Sequence, residues 1–147
     1  FHSFCAKFLR TNLIPAGMKP FGIANKSKET EIIKQCISQL NIDTEFHKPS
    51  KIMNNISLAK GRMQTPEEYN RIGQHRRSSY QTSRSVYADP TVKVWELYQQ
   101  KLATMNLLDF NDLMIKTIEV LRNFPNILQL YQRKFNYIMV DEYQVKN

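Results

Sequence analysis

Apolar side chains recur along this 147-residue chain mostly at helical spacing, with polar breaks that divide it into segments. Phe1, Phe4, Cys5, Phe8 and Leu9 share one helical face, so the first dozen residues predict an amphipathic helix, closed by Pro15 and Gly17. Pro20-Phe21-Gly22-Ile23 reads as a loop or a brief extended piece. A second helix is predicted over residues 27–40, with Ser27 as N-cap and Ile32, Ile33, Cys36, Ile37 and Leu40 as its buried stripe. After the turn Asn41-Ile42-Asp43-Thr44, a third helix begins near Pro49 or Ser50. It carries Ile52, Met53, Ile56 and Ala59, and Gly61 is its predicted stop. Thr65-Pro66-Glu67-Glu68 is a start signal: a capping Thr, Pro at the first position and a Glu placed to close a capping box. The helix it starts reads as short, because residues 73–85 are polar and rich in Ser, Arg and Gln and predict a mobile surface loop. Asp89-Pro90 opens a helix whose apolar face is Val94, Trp95, Tyr98, Leu102 and Met105. Asp109 is the next predicted N-cap, with Asp112 in capping-box position and Leu113, Met114, Thr117, Ile118 and Leu121 along the helix that follows. Phe124-Pro125 ends that helix and starts another through Ile127, Leu128, Tyr131 and Phe135.

The last apolar run, Asn136-Tyr137-Ile138-Met139-Val140, has the composition of a strand buried on both faces. The pattern thus predicts about six or seven helices and one strand, a mainly α chain. A lone strand cannot satisfy its own backbone hydrogen bonds, so either its sheet partners lie outside these residues or it is misfolded or exposed in isolation. An opening on Phe1-His2-Ser3-Phe4, without a start Met or a signal-like segment, adds to the expectation of a piece of a longer protein. Asp141 and Glu142 follow the run directly. Two readings stay open for them: a strand reaching the surface in polar residues, or a carboxylate pair at the strand's carboxyl end. There one acid can hold a phosphate-bound Mg²⁺ and the other can act on an attacking water.

Composition changes the picture in one respect. Hydrophobic content of 41% and charged content of 23% are those of a globular domain, and no apolar stretch approaches the roughly 20 residues that span a bilayer. The net charge of +8, however, suits a polyanionic partner, and it is unevenly spread. Residues 48–87 hold eight basic side chains (Lys48, Lys51, Lys60, Arg62, Arg71, Arg76, Arg77 and Arg84) against Glu67 and Glu68. A solvated surface is one reading of that segment; sequence-independent contact with a phosphate backbone is the preferred one. Arg71, Arg76, Arg77 and Arg84 lead the candidates, and Lys60 and Arg62 come next. Tyr80 and Tyr87 read as packed or exposed aromatics, with base stacking the other possibility. Cys5 and Cys36 fall at apolar helical positions and read as buried free thiols of an intracellular protein. His2, His47 and His75 have no metal-ligand spacing to them, so no structural zinc is expected. From the residues alone, His2 caps local backbone, and Asp109 and Asp112 are a helix cap.

Taken in order, several of these landmarks resemble the UvrD/Rep/PcrA-like superfamily 1 DNA helicases across nearly the whole chain. Phe1-His2-Ser3-Phe4-Cys5-Ala6 with Phe8-Leu9-Arg10 is similar to the family's T-F-H-S/G segment and the helix behind it. Ile56-Ser57 with Ala59-Lys60 is similar to its I-S-x-x-K stretch. Val86-Tyr87 and Tyr98-Gln99 resemble the helix before its L-D-F-x-D-L motif, here Leu108-Asp109-Phe110-Asn111-Asp112-Leu113. The run from Tyr131 through Val140 to Asp141-Glu142-Tyr143-Gln144 resembles the approach to its D-E-x-Q motor motif.

The resemblance implies an ATP-dependent DNA helicase moving 3′ to 5′, in which two RecA-like motor domains each carry a helical insertion. Residues 1–14 would then be a motor fragment, 15–108 the DNA-contacting insertion, and 109–147 the return to the motor, whose terminal β-strand belongs to its α/β sheet. Asp141 matches the Mg²⁺-binding acid, Glu142 the catalytic base and Gln144 the nucleotide-sensing glutamine. Phe1, His2 and Ser3 match a segment beside the single strand, and the insertion would face duplex DNA at the junction. The implied cofactors are ATP and Mg²⁺, and the implied location is the nucleus of a eukaryote or the cytoplasm of a bacterium. Two departures stand out. Val145-Lys146-Asn147 replaces the acid that the family usually places after the glutamine, and no G-x-x-x-x-G-K-[ST] phosphate loop occurs. The chain alone is therefore expected to be inactive in hydrolysis. The rival readings are a non-catalytic DNA-binding module and a helical protein-interaction scaffold; protein partners are not indicated.

Overall fold

A computed structural model of the protein describes residues 1–78 and 89–139, with residues 74–78 described as backbone only. Among them the chain forms α1 (His2–Thr11), β1 (Gly22–Ile23), α2 (Lys26–Gln39), α3 (Pro49–Gly61), α4 (Pro66–Ser78), α5 (Thr91–Thr104), β2 (Leu107–Leu108), α6 (Phe110–Asn123) and α7 (Pro125–Lys134). The mainly α reading holds. No helix among the described residues is long and apolar enough to cross a membrane.

Two apolar cores organise these elements. In the first, Ile32, Ile33, Cys36 and Ile37 of α2 meet Ile52, Ile56 and Ala59 of α3 and Val94, Trp95, Tyr98 and Leu102 of α5. In the second, Cys5, Ala6, Phe8 and Leu9 of α1 meet Leu113 and Val120 of α6 and Ile127 of α7. Tyr131 closes the second core: its ring lies 4.7 Å from that of Phe8, and its hydroxyl accepts a 3.2 Å hydrogen bond from the Asn12 amide. Burial pushes the Cys36 thiol above its ordinary value and so keeps it protonated; both cysteines are buried and free.

The chain enters and leaves the first core through one short parallel pairing, Gly22 opposite Leu107 and Ile23 opposite Leu108. Gly22 N–H donates to Asn106 O and Ala24 N–H to Leu108 O, both at 2.9 Å. A side chain at residue 22 would meet the tip of Leu107 at 2.8 Å, so glycine permits the close approach.

Local signals place most helix ends, and the differences have simple causes. The Thr65 box forms as expected: Glu68 N–H donates to Thr65 Oγ1 (3.2 Å) and Thr65 N–H to Glu68 Oε2 (3.0 Å). The N-cap of α2 is Asn25 rather than Ser27, because the Asn25 amide oxygen accepts from Lys28 N–H. Helix α4 continues through Ser78, so residues 73–78 are helical rather than loop; the rest of the predicted loop lies outside the described residues. Met105 is 42% exposed because α5 ends one residue earlier. Helix α3 ends at Gly61 as expected, but not through a left-handed glycine: the left-handed turn falls at Met63 (φ 58°), and Gln64 N–H reaches back to Ala59 O. Asn41 and Asn106 take the same conformation after α2 and α5.

Residues 136–139 do not form the expected strand. Tyr137, Ile138 and Met139 are 91%, 78% and 96% exposed, and no described segment lies alongside to share a ladder. With Phe1, Phe4 and Phe135 they line an open apolar cavity of about 660 Å³.

Because a Cβ at residue 61 meets nothing within 4 Å and the backbone there is helical, Gly61→Ala should raise stability by about 0.5–1 kcal/mol in urea unfolding. A loss of stability would mean that residue 61 takes the left-handed conformation in solution.

Candidate nucleic-acid interface and its buried support

Helix α6 begins with a reciprocal cap. Asp112 N–H donates to Asp109 Oδ1 at 2.8 Å, and Asp109 N–H donates to Asp112 Oδ2 at 3.3 Å. The capping reading of this pair was correct. It was also incomplete, because the same two carboxylates hold an ammonium from another helix. Lys60 Nζ, in the last turn of α3, lies 2.5 Å from Asp109 Oδ2 and 2.7 Å from Asp112 Oδ1, and donates to Gln99 Oε1 at 2.9 Å. The Tyr98 hydroxyl donates to Asp109 Oδ2 at 3.1 Å, and Gln99 Nε2 to Asp112 Oδ1 at 3.4 Å. The three charged side chains are 2%, 5% and 6% exposed, and no buried side-chain polar atom among the described residues lacks a partner.

This arrangement is electrostatically crowded. Burial pushes the Asp112 carboxyl above its ordinary value; the positive charge of Lys60 opposes the shift and the neighbouring Asp109 adds to it. Burial and the Asp109 charge likewise push the Tyr98 hydroxyl up, so it remains a donor. Lys60 stands in addition at the carbonyl end of α3, where a cation is favoured. Its expected role as a phosphate contact is corrected by this geometry: an ammonium buried against two carboxylates is not offered to DNA. The contact spans 49 residues of sequence, so no local pattern could reveal it.

Immediately beside Asp109, Phe110 is 42% exposed, and its ring meets that of His2 edge-on at 5.2 Å. Together with Ser3, Ala6, Lys7, Arg10, Ile23 and Leu113 they line a surface cleft of about 290 Å³. The structure therefore joins the predicted His2 and Ser3 to Lys7, Arg10 and Phe110, which the sequence reading did not single out. The available signal was helical spacing: Ser3, Lys7 and Arg10 fall on one face of α1. Phe1 is exposed at the lip of α1 and faces the apolar cavity instead.

Of the basic candidates, Arg62 follows α3 and Arg71 lies on α4, and both are exposed, as are Lys48 and Lys51. Arg76 and Arg77 belong to α4, where the description covers backbone only. Arg84, Tyr80 and Tyr87 lie outside the described residues, as do Asp141, Glu142 and Gln144. Trp95 and Tyr98 are core residues, as read.

The model of the UvrD/REP helicase N-terminal domain matches residues 1–147. The chain belongs to the UvrD/REP helicase N-terminal domain family. Relatives of this UvrD/REP chain include the ATP-dependent DNA helicases PcrA of Bacillus subtilis, 36% identical, Staphylococcus aureus, 32% identical, and Leuconostoc citreum, 31% identical. Each similarity covers 100% of this chain but only 18–19% of the relative, so the chain spans about a fifth of their length.

Lys60→Met should cost about 3–5 kcal/mol in urea unfolding, because it leaves two buried carboxylates without their counter-charge. Asp112→Asn should cost less, since Lys60 keeps its pair with Asp109, although the amide cannot accept from Lys60, Gln99 and Asp109 N–H all at once. The proton sign follows from the raised folded value: Asp112 favours the fold most when protonated, and that contribution declines as pH rises through the folded value. The stability of Asp112→Asn relative to wild type should therefore improve as pH rises above the ordinary carboxylate range. The opposite trend would show that Lys60 outweighs burial at this carboxyl.

Proposed function

We propose that this chain is part of an ATP-dependent DNA helicase that moves 3′ to 5′ on single-stranded DNA and unwinds duplex DNA in repair or replication. The observation that carries this reading is the family match over all 147 residues, which includes the quartet Asp141-Glu142-Tyr143-Gln144. The relatives named as ATP-dependent DNA helicases support it. Residues 1–14 and 109–147 are assigned to the motor and 15–108 to the helical insertion, inside a cell. What supports a division is the pair of apolar cores, one on α2, α3 and α5 and the other on α1, α6 and α7, with Ala16, Met18, Phe21 and Ile23 packed against the second.

Paired carboxylates are hard oxygen donors, the kind Mg²⁺ prefers. Asp141 would hold Mg²⁺, and Mg²⁺-ATP supplies the phosphoryl group whose hydrolysis drives the motor. Glu142 is placed by the motif to take the proton of the attacking water, and Gln144 to sense the nucleotide. Residues 1–147 lack a phosphate loop, so on their own they hydrolyse nothing in this reading. Phe1, His2 and Ser3 lie beside the single strand. Arg62, Arg71, Arg76, Arg77 and Arg84 contact the phosphates of the duplex, where charge without base readout suffices.

Two measurements test the proposal. Changing Glu142→Gln in the full-length protein should lower DNA-stimulated ATP hydrolysis by about 100-fold or more while DNA affinity is retained. Unaltered hydrolysis would favour a non-catalytic DNA-binding module. In this chain, replacing Arg71, Arg76, Arg77 and Arg84 with Ala should flatten the slope of log affinity against log salt by about 0.7–0.9 per lost phosphate contact. Undetectable DNA affinity at low salt would point instead to a protein-interaction scaffold.

A further inference from the structure

Lys60 lies in the last turn of α3, whose apolar face belongs to the first core, whereas Asp109 and Asp112 open α6, whose body belongs to the second. Their ion pairs are therefore a polar tie between two separately packed apolar units. Gln99 and Tyr98 bring α5 into the same tie. On the same pair of helices, Asn111 Nδ2 donates to Ser57 Oγ at 3.1 Å, a second link between α3 and α6. Apolar contact is non-directional and tolerates sliding, whereas fixed donor–acceptor pairs allow one register. A buried ion triad adds little net stability compared with well-packed apolar residues, so registration accounts for it better than stability does.

Both surfaces assigned to DNA adjoin this tie. Phe110 follows Asp109 directly and touches His2 in the strand-side cleft. Arg62 lies two residues beyond Lys60, and the left-handed Met63 and the Thr65–Glu68 box then set the direction of α4 and Arg71. Resting on the helicase reading above, we infer that Lys60 is a positioning residue. Its buried ion pairs with Asp109 and Asp112 hold the basic α3–α4 surface in register with the His2–Phe110 cleft, so that movement along one strand is delivered to the duplex. Lys60 itself touches neither DNA nor nucleotide.

The test uses the full-length protein, with single-strand-stimulated ATP hydrolysis and base pairs opened per ATP on a forked duplex measured side by side. The double change Lys60→Gln with Asp112→Asn removes the tie while leaving one buried carboxylate bonded to Tyr98 and the α6 backbone. It should leave hydrolysis within about twofold of wild type and lower base pairs opened per ATP by about tenfold. Asn111→Ala, which strands no buried charge, should lower that yield by about threefold, also at unchanged hydrolysis. A parallel fall of both activities in the folded double variant would overturn the inference and leave the triad a purely structural feature. If the double variant does not fold, Asn111→Ala decides: an unchanged yield overturns the inference and a reduced one upholds it. A wild-type protein that neither hydrolyses ATP on DNA nor opens the fork would overturn the helicase reading itself, and this inference with it.

Discussion

The buried contact between Lys60 and the carboxylates of Asp109 and Asp112 is the constraint on which the rest of this structure hangs. Two negative charges and one positive charge sit together out of water, a combination that is tolerable only because every oxygen and proton has a further partner. The α6 backbone, Tyr98 and Gln99 supply those partners. Such a cluster tolerates little displacement, since any helix that moves leaves a charge unpaired in a low-dielectric setting. Three helices are thereby held to one arrangement at the point where the chain passes from one apolar core to the other.

That passage is marked twice. The short parallel pairing of Gly22–Ile23 with Leu107–Leu108 closes the neck of the helical unit α2–α5, and the ion cluster locks it directly afterwards. Outside the neck the two cores are built from ordinary helical stripes, which give cohesion without direction. At the base of α2–α5 the neck adds direction, through backbone hydrogen bonds and buried charge.

The same neck also separates two groups of surface residues. Lys7, Arg10, His2 and Phe110 gather on one side, and Arg62 and Arg71 lie beyond α3. The described basic residues of this UvrD/REP chain thus fall into two kinds, the exposed ones and Lys60, which is buried in ion pairs. Net charge alone cannot make that distinction, because a lysine in an ion pair and a lysine in water count equally.

Read in order, the sequence determined those features whose causes lie within a turn or two of helix. The Thr65–Glu68 and Asp109–Asp112 boxes, the stripes of α2, α3 and α5, and the identity of Trp95 and Tyr98 as core were all legible there. These depend on hydrogen bonds three residues apart and on apolar repeats of three or four. Differences came where near-equivalent local choices compete, as at Asn25 against Ser27 and in the left-handed turn at Met63 instead of Gly61. The ordered motifs also carry the resemblance to the family. Only the tertiary structure decided that Lys60 is internal, that Phe110 meets His2, and that residues 137–139 are exposed rather than laddered. Burial of a charge and pairing of a strand depend on what packs against them from distant parts of the chain. No short window of sequence contains that information.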